Sequence, residues 1–308
     1  MLQIQDVPVT AADGHKLLAF DAGGGPGPAI VLCNSVLGGI DGWHPLIEDF
    51  AKYHRVVGWR YRGMTRADRP LSAMQQHTDD LLSVLDHFAL DKVVLIGWSM
   101  GARVLIDMLR DHAPRVLAGV TICGVMARPL QRLAEPFAGP ISALAPAAGD
   151  LAAELAPYAP QVWKFIGMGA RSRTVHDVLR LIGAVAPTAD RPLTEEVLAD
   201  TAAIPLRHLI ATLRAVDRHV VEHEFPDVDT PILLVGGTAD PLCPVSDVEH
   251  VAGRLLHGQT MIVPSAGHLL PLEFDELLRL RIAKFLRVTL GFDRLAVDRA
   301  SQSAAPAT

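Results

Sequence analysis

The chain has 308 residues, 50% of them hydrophobic, and a formal net charge of −6. That is enough apolar material for a substantial core, in one large domain or two small ones. An acidic chain without basic clusters argues against nucleic acid as a partner, and three widely spaced cysteines (Cys33, Cys123, Cys243) fit neither a disulfide framework nor a C-x-x-C metal site.

In chain order, Met1 to Asp6 carries no basic segment followed by an apolar one, so no secretory leader is read. No uninterrupted apolar stretch approaches the roughly 18 residues of a membrane helix. A cytoplasmic protein without stable membrane insertion is expected. Residues 2–34 read as a strand, a turn at Ala12-Asp13-Gly14, a second strand, a Gly/Pro turn and a third strand. The turn Gly23 to Pro28 has the wrong spacing for a phosphate loop, and its prolines remove donors a phosphate would need. Trp43 to Tyr53 reads as a helix and Arg55 to Arg60 as a strand. Ser72 to Leu90 places Met74, Leu81, Leu82, Leu85 and Phe88 at helical spacing with one buried face. Strands alternating with helices predict an α/β fold, a mostly parallel sheet covered on both sides.

The most informative stretch follows. An apolar β-branched run, Val93-Val94-Leu95-Ile96, leads into Gly97-Trp98-Ser99-Met100-Gly101 and then into a helix-like segment from Ala102 to Leu109. A serine at the tip of a strand–turn–helix is held in a strained backbone with its hydroxyl exposed at the sheet edge. The flanking glycines are required where a side chain would strike the neighbouring strand or helix. Leu117 to Cys123 reads as the next strand, and Cys123-Gly124-Val125 has no carboxylate beside it in the sequence.

From Met126 to about Phe225 the chain is rich in Ala, Leu and Pro, with prolines at 129, 136, 140, 146, 157 and 160 that cut it into short helical pieces. The strand pattern resumes at Pro231 to Gly237, followed by a turn carrying Asp240. Thr260 to Val263 is a further short strand, followed by a loop with His268. Serine, acid and histidine each fall just past a predicted strand, in the order nucleophile, acid, base. Asp240 alone could be a plain turn residue. His219 and His223 are a second choice for the base. His77, His87, His112 and His250 read as surface or satisfied core residues. Ser301 to Thr308 reads as a disordered tail.

With these residues in hand, the chain resembles the α/β-hydrolase superfamily over residues 2 to about 290. The combination Leu32-Cys33-Asn34-Ser35, Tyr61-Arg62-Gly63, Gly97-Trp98-Ser99-Met100-Gly101 and Gly267-His268 is similar to bacterial esterase and enol-lactonase-like members. The resemblance implies a hydrolase core of residues 1–125 and 226–292, an inserted helical cap of residues 126–225, and a tail of residues 293–308. A second domain with its own role is the other reading of the insertion.

The chemistry expected is that of a serine hydrolase. A serine hydroxyl needs a base to become a useful nucleophile. Ser99 would attack, His268 would carry the proton, and Asp240 would orient and stabilise the imidazole. The backbone N–H groups of Met100 and Val36 would hold the oxyanion. Asn34, Trp98, Trp163 and Phe165 are expected at the substrate. Ester or lactone hydrolysis on a small or medium molecule leads, with no cofactor and no metal needed. C–C bond hydrolysis, acyl transfer to an alcohol or peroxide, and a catalytically silent binding protein stay open. Serine at the tip excludes the chemistries that need an aspartate there.

Overall fold

The computed structural model describes residues 4–36, 39–124, 186, 188–219, 229–294 and 296–298. Trp163, Phe165 and most of the predicted insertion lie outside the described residues.

Eight strands form one sheet. They are β1 (Gln5–Thr10), β2 (Lys16–Asp21), β3 (Gly27–Cys33), β4 (His54–Trp59), β5 (Val93–Trp98), β6 (Val116–Ile122), β7 (Ile232–Gly237) and β8 (Gly258–Val263). Their spatial order is β1-β2-β4-β3-β5-β6-β7-β8. β1 and β2 pair antiparallel, as do β2 and β4, and every later pairing is parallel. The chain therefore steps from β3 outward to β4, then returns past β3 to β5. That reversal opens a crevice at the carboxyl ends of β3 and β5, where ligands bind in open parallel sheets.

The helices among the described residues are α1 (His44–Phe50), α2 (Gln75–His87), α3 (Met100–His112), α4 (Arg191–Ala203), α5 (Leu206–Arg218), α6 (Val245–Arg254), α7 (Leu270–Glu273) and α8 (Asp275–Leu290). A single 3₁₀ turn, Ile40–Trp43, precedes α1, so the helix read from Trp43 begins with a tighter turn. The strands feed two apolar layers by strict alternation. Along β5, Val93 and Leu95 pack with α2, α3 and α6, while Val94, Ile96 and Trp98 pack with α1 and α8. Every residue of β5 and β7 is buried, as expected for strands covered on both faces.

Local signals set the ends of several elements. The Asp190 side chain accepts the Leu193 N–H at 2.9 Å and caps α4. Gly291, at φ 68, closes α8 in the left-handed conformation. The loop after β4 is tied down by Arg62, which donates from Nε to buried Asp80 at 2.8 Å and from Nη1 to Asp13 at 2.6 Å. Two of the expected surface or core histidines carry information. His87 is exposed at the end of α2, whereas His77 is fully buried and stacked on Tyr61, with ring centroids 4.1 Å apart. Among the described residues neither ring nitrogen of His77 has a hydrogen-bond partner, so it is a core residue that none of them satisfies.

α4 lies over the 3₁₀ turn beside the carboxyl edge of the sheet. A Cβ on Gly42 would stand 3.6 Å from Val197 and 2.9 Å from the Trp98 ring. α5 packs lower, with Ala215 and Val216 in the layer of α2 and α3. The buried Arg103 of α3 donates to the Val216 carbonyl at 2.6 Å. His219, just past α5, meets buried Asp107 at 2.9 Å.

Candidate active site

β5 ends in Trp98, and the next residue, Ser99, turns the chain into α3. Ser99 has φ 53 and ψ −111, a conformation that costs a non-glycine residue on the order of 1–3 kcal/mol. The two glycines are explained by contact. A Cβ on Gly97 would fall 2.4 Å from the Gly101 carbonyl oxygen, inside the turn. A Cβ on Gly101 would fall 2.0 Å from the Cys33 carbonyl oxygen, at the exit of β3. The start of α3 and the end of β3 thus touch backbone to backbone. This brings the N–H groups of an α-helix N-terminus, left without intrahelical partners, up to the Asn34-Ser35-Val36 loop.

Asp240 and His268 arrive from the ends of β7 and β8. His268 Nε2 lies 2.9 Å from Ser99 Oγ, and His268 Nδ1 lies 2.9 Å from Asp240 Oδ2. The other Asp240 oxygen accepts the N–H groups of Leu242 at 2.8 Å and Cys243 at 3.0 Å. With one oxygen fixed by the backbone, the carboxylate is aimed at the imidazole by the other. All three side chains are buried. Both neighbours of the pair thus favour a proton on Nδ1, which leaves the Nε2 lone pair toward the serine. His219 is committed to Asp107, a buried residue within α3, and His223 lies outside the described residues.

Asn34 and Trp98, read as substrate contacts, also have partners within the protein. Asn34 donates from Nδ2 to the Trp59 carbonyl at 2.7 Å and accepts the Trp43 Nε1–H at 2.7 Å. Its amide is spent at both ends inside the protein, so it braces the loop after β3. Trp98 donates from Nε1 to the His268 carbonyl at 3.0 Å and meets the edge of Trp43, with centroids 5.9 Å apart. It ties the histidine loop to the strand that carries the serine. Val36 is half-buried and Met100 buried.

Two residues of the site escape a reading of the sequence. Glu273, in the short α7, accepts the Gly267 N–H through Oε2 at 2.5 Å and so fixes the residue before His268. Burial pushes its carboxyl above the usual range. The signal is faint, a lone acid five residues after the histidine. Cys123, at the end of β6, has φ 47. Its sulfur, an Asp240 oxygen and a His268 nitrogen lie within 4.8 Å of one another. Burial, and after it the Asp240 charge, holds this thiol well above its ordinary range.

A cavity of about 250 Å³ opens beside the loop after β3, lined by Asn34, Ser35, Tyr61, Arg60, Arg66 and, from α4, Asp200. Its walls reach Ser35 but do not include Ser99. The Asp200 carboxyl is raised above the usual range by burial and then by its neighbour Asp41.

Comparison with known proteins places the chain. A family model described as "alpha/beta hydrolase fold" matches residues 28–155, and one described as "TAP-like protein" matches residues 212–288. The chain is 23% identical over 304 residues to 3-oxoadipate enol-lactonase 1 of Acinetobacter baylyi, covering 95% of this chain and 98% of that one. Among solved structures it is similar to a thermophilic esterase from Thermogutta terrifontis, at 19% identity and a TM-score of 0.66, with 92% of this chain and 99% of that one covered. It is also similar to the enol-lactonase from Burkholderia xenovorans LB400, at 20% identity and a TM-score of 0.65, covering 91% of this chain and 99% of that one.

Proposed function

We propose that this chain, which has the α/β-hydrolase fold and resembles the esterase and enol-lactonase-like hydrolases, is a serine hydrolase that cleaves a small or medium carboxylic ester or lactone. The observation that carries the reading is the continuous chain Ser99–His268–Asp240, with two contacts of 2.9 Å, at the carboxyl edge of the sheet.

The geometry supports the following steps. His268 Nε2 takes the Ser99 proton as Oγ attacks the ester carbonyl, and the imidazolium is stabilised by Asp240. The oxyanion develops between the start of α3 and the loop after β3, where the N–H groups of Met100 and Val36 receive it. His268 returns the proton to the leaving alkoxide, and water, deprotonated by the same nitrogen, releases the acid. The strain at Ser99 keeps Oγ presented throughout. The segment 126–225 serves as a cap over this edge. The position of α4 against the turn beside Trp98 supports that role.

The test is turnover of p-nitrophenyl esters of increasing acyl length and of simple lactones by the wild type, Ser99→Ala and Asp240→Asn. Ser99→Ala should lose about 10⁴–10⁶ in kcat, and Asp240→Asn about 10⁴, each with the fold intact by circular dichroism. Near-full activity in Ser99→Ala would defeat the mechanism. Added alcohol or peroxide that diverts the acyl group would make the protein a transferase instead.

A further inference from the structure

The ends of β6, β7 and β8 bring a soft, a hard and a borderline ligand to one point. The Cys123 sulfur, an Asp240 carboxylate oxygen and a His268 ring nitrogen all lie within 4.8 Å of one another, and all three residues are buried. Cys123 sits at φ 47, in the left-handed region that a cysteine rarely adopts. Its thiol donates only weakly, to the Gly267 carbonyl at 3.5 Å. The hydrolytic steps give this sulfur nothing to do.

We infer that Cys123, Asp240 and His268 form an inhibitory binding site for a thiophilic divalent cation of the Zn²⁺ and Cd²⁺ class. One sulfur, one imidazole and one carboxylate are the ligand set of such ions, not of Mg²⁺ or Ca²⁺, which take oxygen alone. With Zn–S at about 2.3 Å and Zn–N and Zn–O at about 2.0–2.2 Å, tetrahedral ligand atoms stand roughly 3.3–3.7 Å apart. The Asp240–His268 contact of 2.9 Å must therefore open by a few tenths of an ångström, and the thiol must close by at most about one ångström. Side-chain rotation covers both distances.

The exchange balances in charge. The cation bonds to the sulfur, whose proton leaves to solvent, and to His268 Nδ1, whose proton moves to Nε2 so that the ring stays a neutral imidazole. Asp240 is already a carboxylate, and a water completes the shell. Two positive charges enter as one proton departs, so the thiolate and the carboxylate together neutralise the cation and no net charge is left in the interior. The cation's own field overrides the resistance of this thiol to ionisation. The Cys243 N–H on the second Asp240 oxygen holds the carboxylate for the ion as it does for the histidine. Binding stands apart from catalysis, but its consequence rests on the serine-hydrolase reading. A cation on Nδ1 breaks the Asp240–His268 bond and silences the base.

The experiment titrates metal-stripped protein with Cd²⁺ and follows the ultraviolet thiolate-to-cadmium charge-transfer band, with ester turnover under Zn²⁺ measured in parallel. The band should grow stoichiometrically in the wild type and in Ser99→Ala, survive in Cys33→Ser and Cys243→Ser, and vanish in Cys123→Ser. Zn²⁺ should inhibit the wild type reversibly by chelator. Cys123→Ser, judged against its own metal-free rate, should need at least about tenfold more. Cys123→Ala, which adds no polar group, replaces Cys123→Ser if the latter fails to fold. Absence of the band, its persistence in the Cys123 variants, or equal Zn²⁺ sensitivity would overturn the site. If the wild type hydrolyses no ester, the hydrolase reading falls, while the band in Ser99→Ala still decides the metal site.

Discussion

His77→Phe tests how far an unpartnered histidine in the core governs acid stability. His77 is fully buried on α2, stacked on Tyr61 with an interplanar angle of 20°, and has no hydrogen-bond partner on either nitrogen among the described residues. Burial, with the Arg62 charge adding to it, pushes its pKa from the ordinary 6.5 down to about 3. The unfolded chain therefore takes up a proton near pH 6.5 that the folded chain refuses until about pH 3. The associated stability is complete above the unfolded value and is lost as pH falls. The slope is about 1.4 kcal/mol per pH unit, so about two units of acidification, to roughly pH 4.5, removes approximately 2.7 kcal/mol. Phenylalanine keeps the stacked ring and removes both the titration and the two unpaired nitrogens. It should stabilise the protein by about 1–3 kcal/mol near neutrality. Urea unfolding of both proteins at about pH 7 and about pH 4.5 should show the gap between them widening by approximately 2.7 kcal/mol in acid. His54, also pushed down by burial, to about 4, is common to both proteins and cancels. A gap of the same size at both pH values would refute the reasoning, because His77 would then gain its proton equally well folded or unfolded.

Gly101→Ala should cost about 1–3 kcal/mol or more and depress ester turnover, since its Cβ meets the Cys33 carbonyl at 2.0 Å and pushes the start of α3 from the loop after β3. Gly253→Ala, in α6 with nothing within 4 Å of its Cβ, should instead stabilise by about 0.5–1 kcal/mol, and thermal melts of the pair make the comparison. Arg62→Met strands the fully buried Asp80 carboxylate and should cost about 3–5 kcal/mol, much of it recovered in melts of the Arg62→Met/Asp80→Leu double variant.

The strands and the three residues brought together at the sheet edge were legible because their signals are local. Val93 to Gly101 states strand, turn and helix in nine consecutive residues, and Asp240 and His268 each follow a short apolar run. The bracing contacts of Asn34 are hidden for the opposite reason. Its position after β3 places it at the edge, but only the packed fold shows Trp43 and Trp59 taking both ends of its amide. Cys123 and Glu273 act through neighbours 117 and 6 residues away, Asp240 and Gly267, and no pattern in the chain announces either pairing. His77 reads as an ordinary helical residue because the sequence does not show that α2 turns it onto Tyr61 and away from every donor and acceptor.

The order of the sheet also fixes when the site comes into being. Ser99 and His268 are separated by 169 positions, and the loop that carries His268 is placed only when β8 pairs with β7 at the rim of the sheet. Contacts between such distant residues form late, because the intervening chain must first be gathered in. During synthesis, β3, β5 and the strained Ser99 turn can assemble while β8 is still unmade. On the serine-hydrolase reading, a ribosome-bound chain at that stage would hold a presented serine with no base to activate it. Hydrolytic competence would thus arrive as a single late event in folding, and ester turnover would serve as a reporter for docking of the last strand.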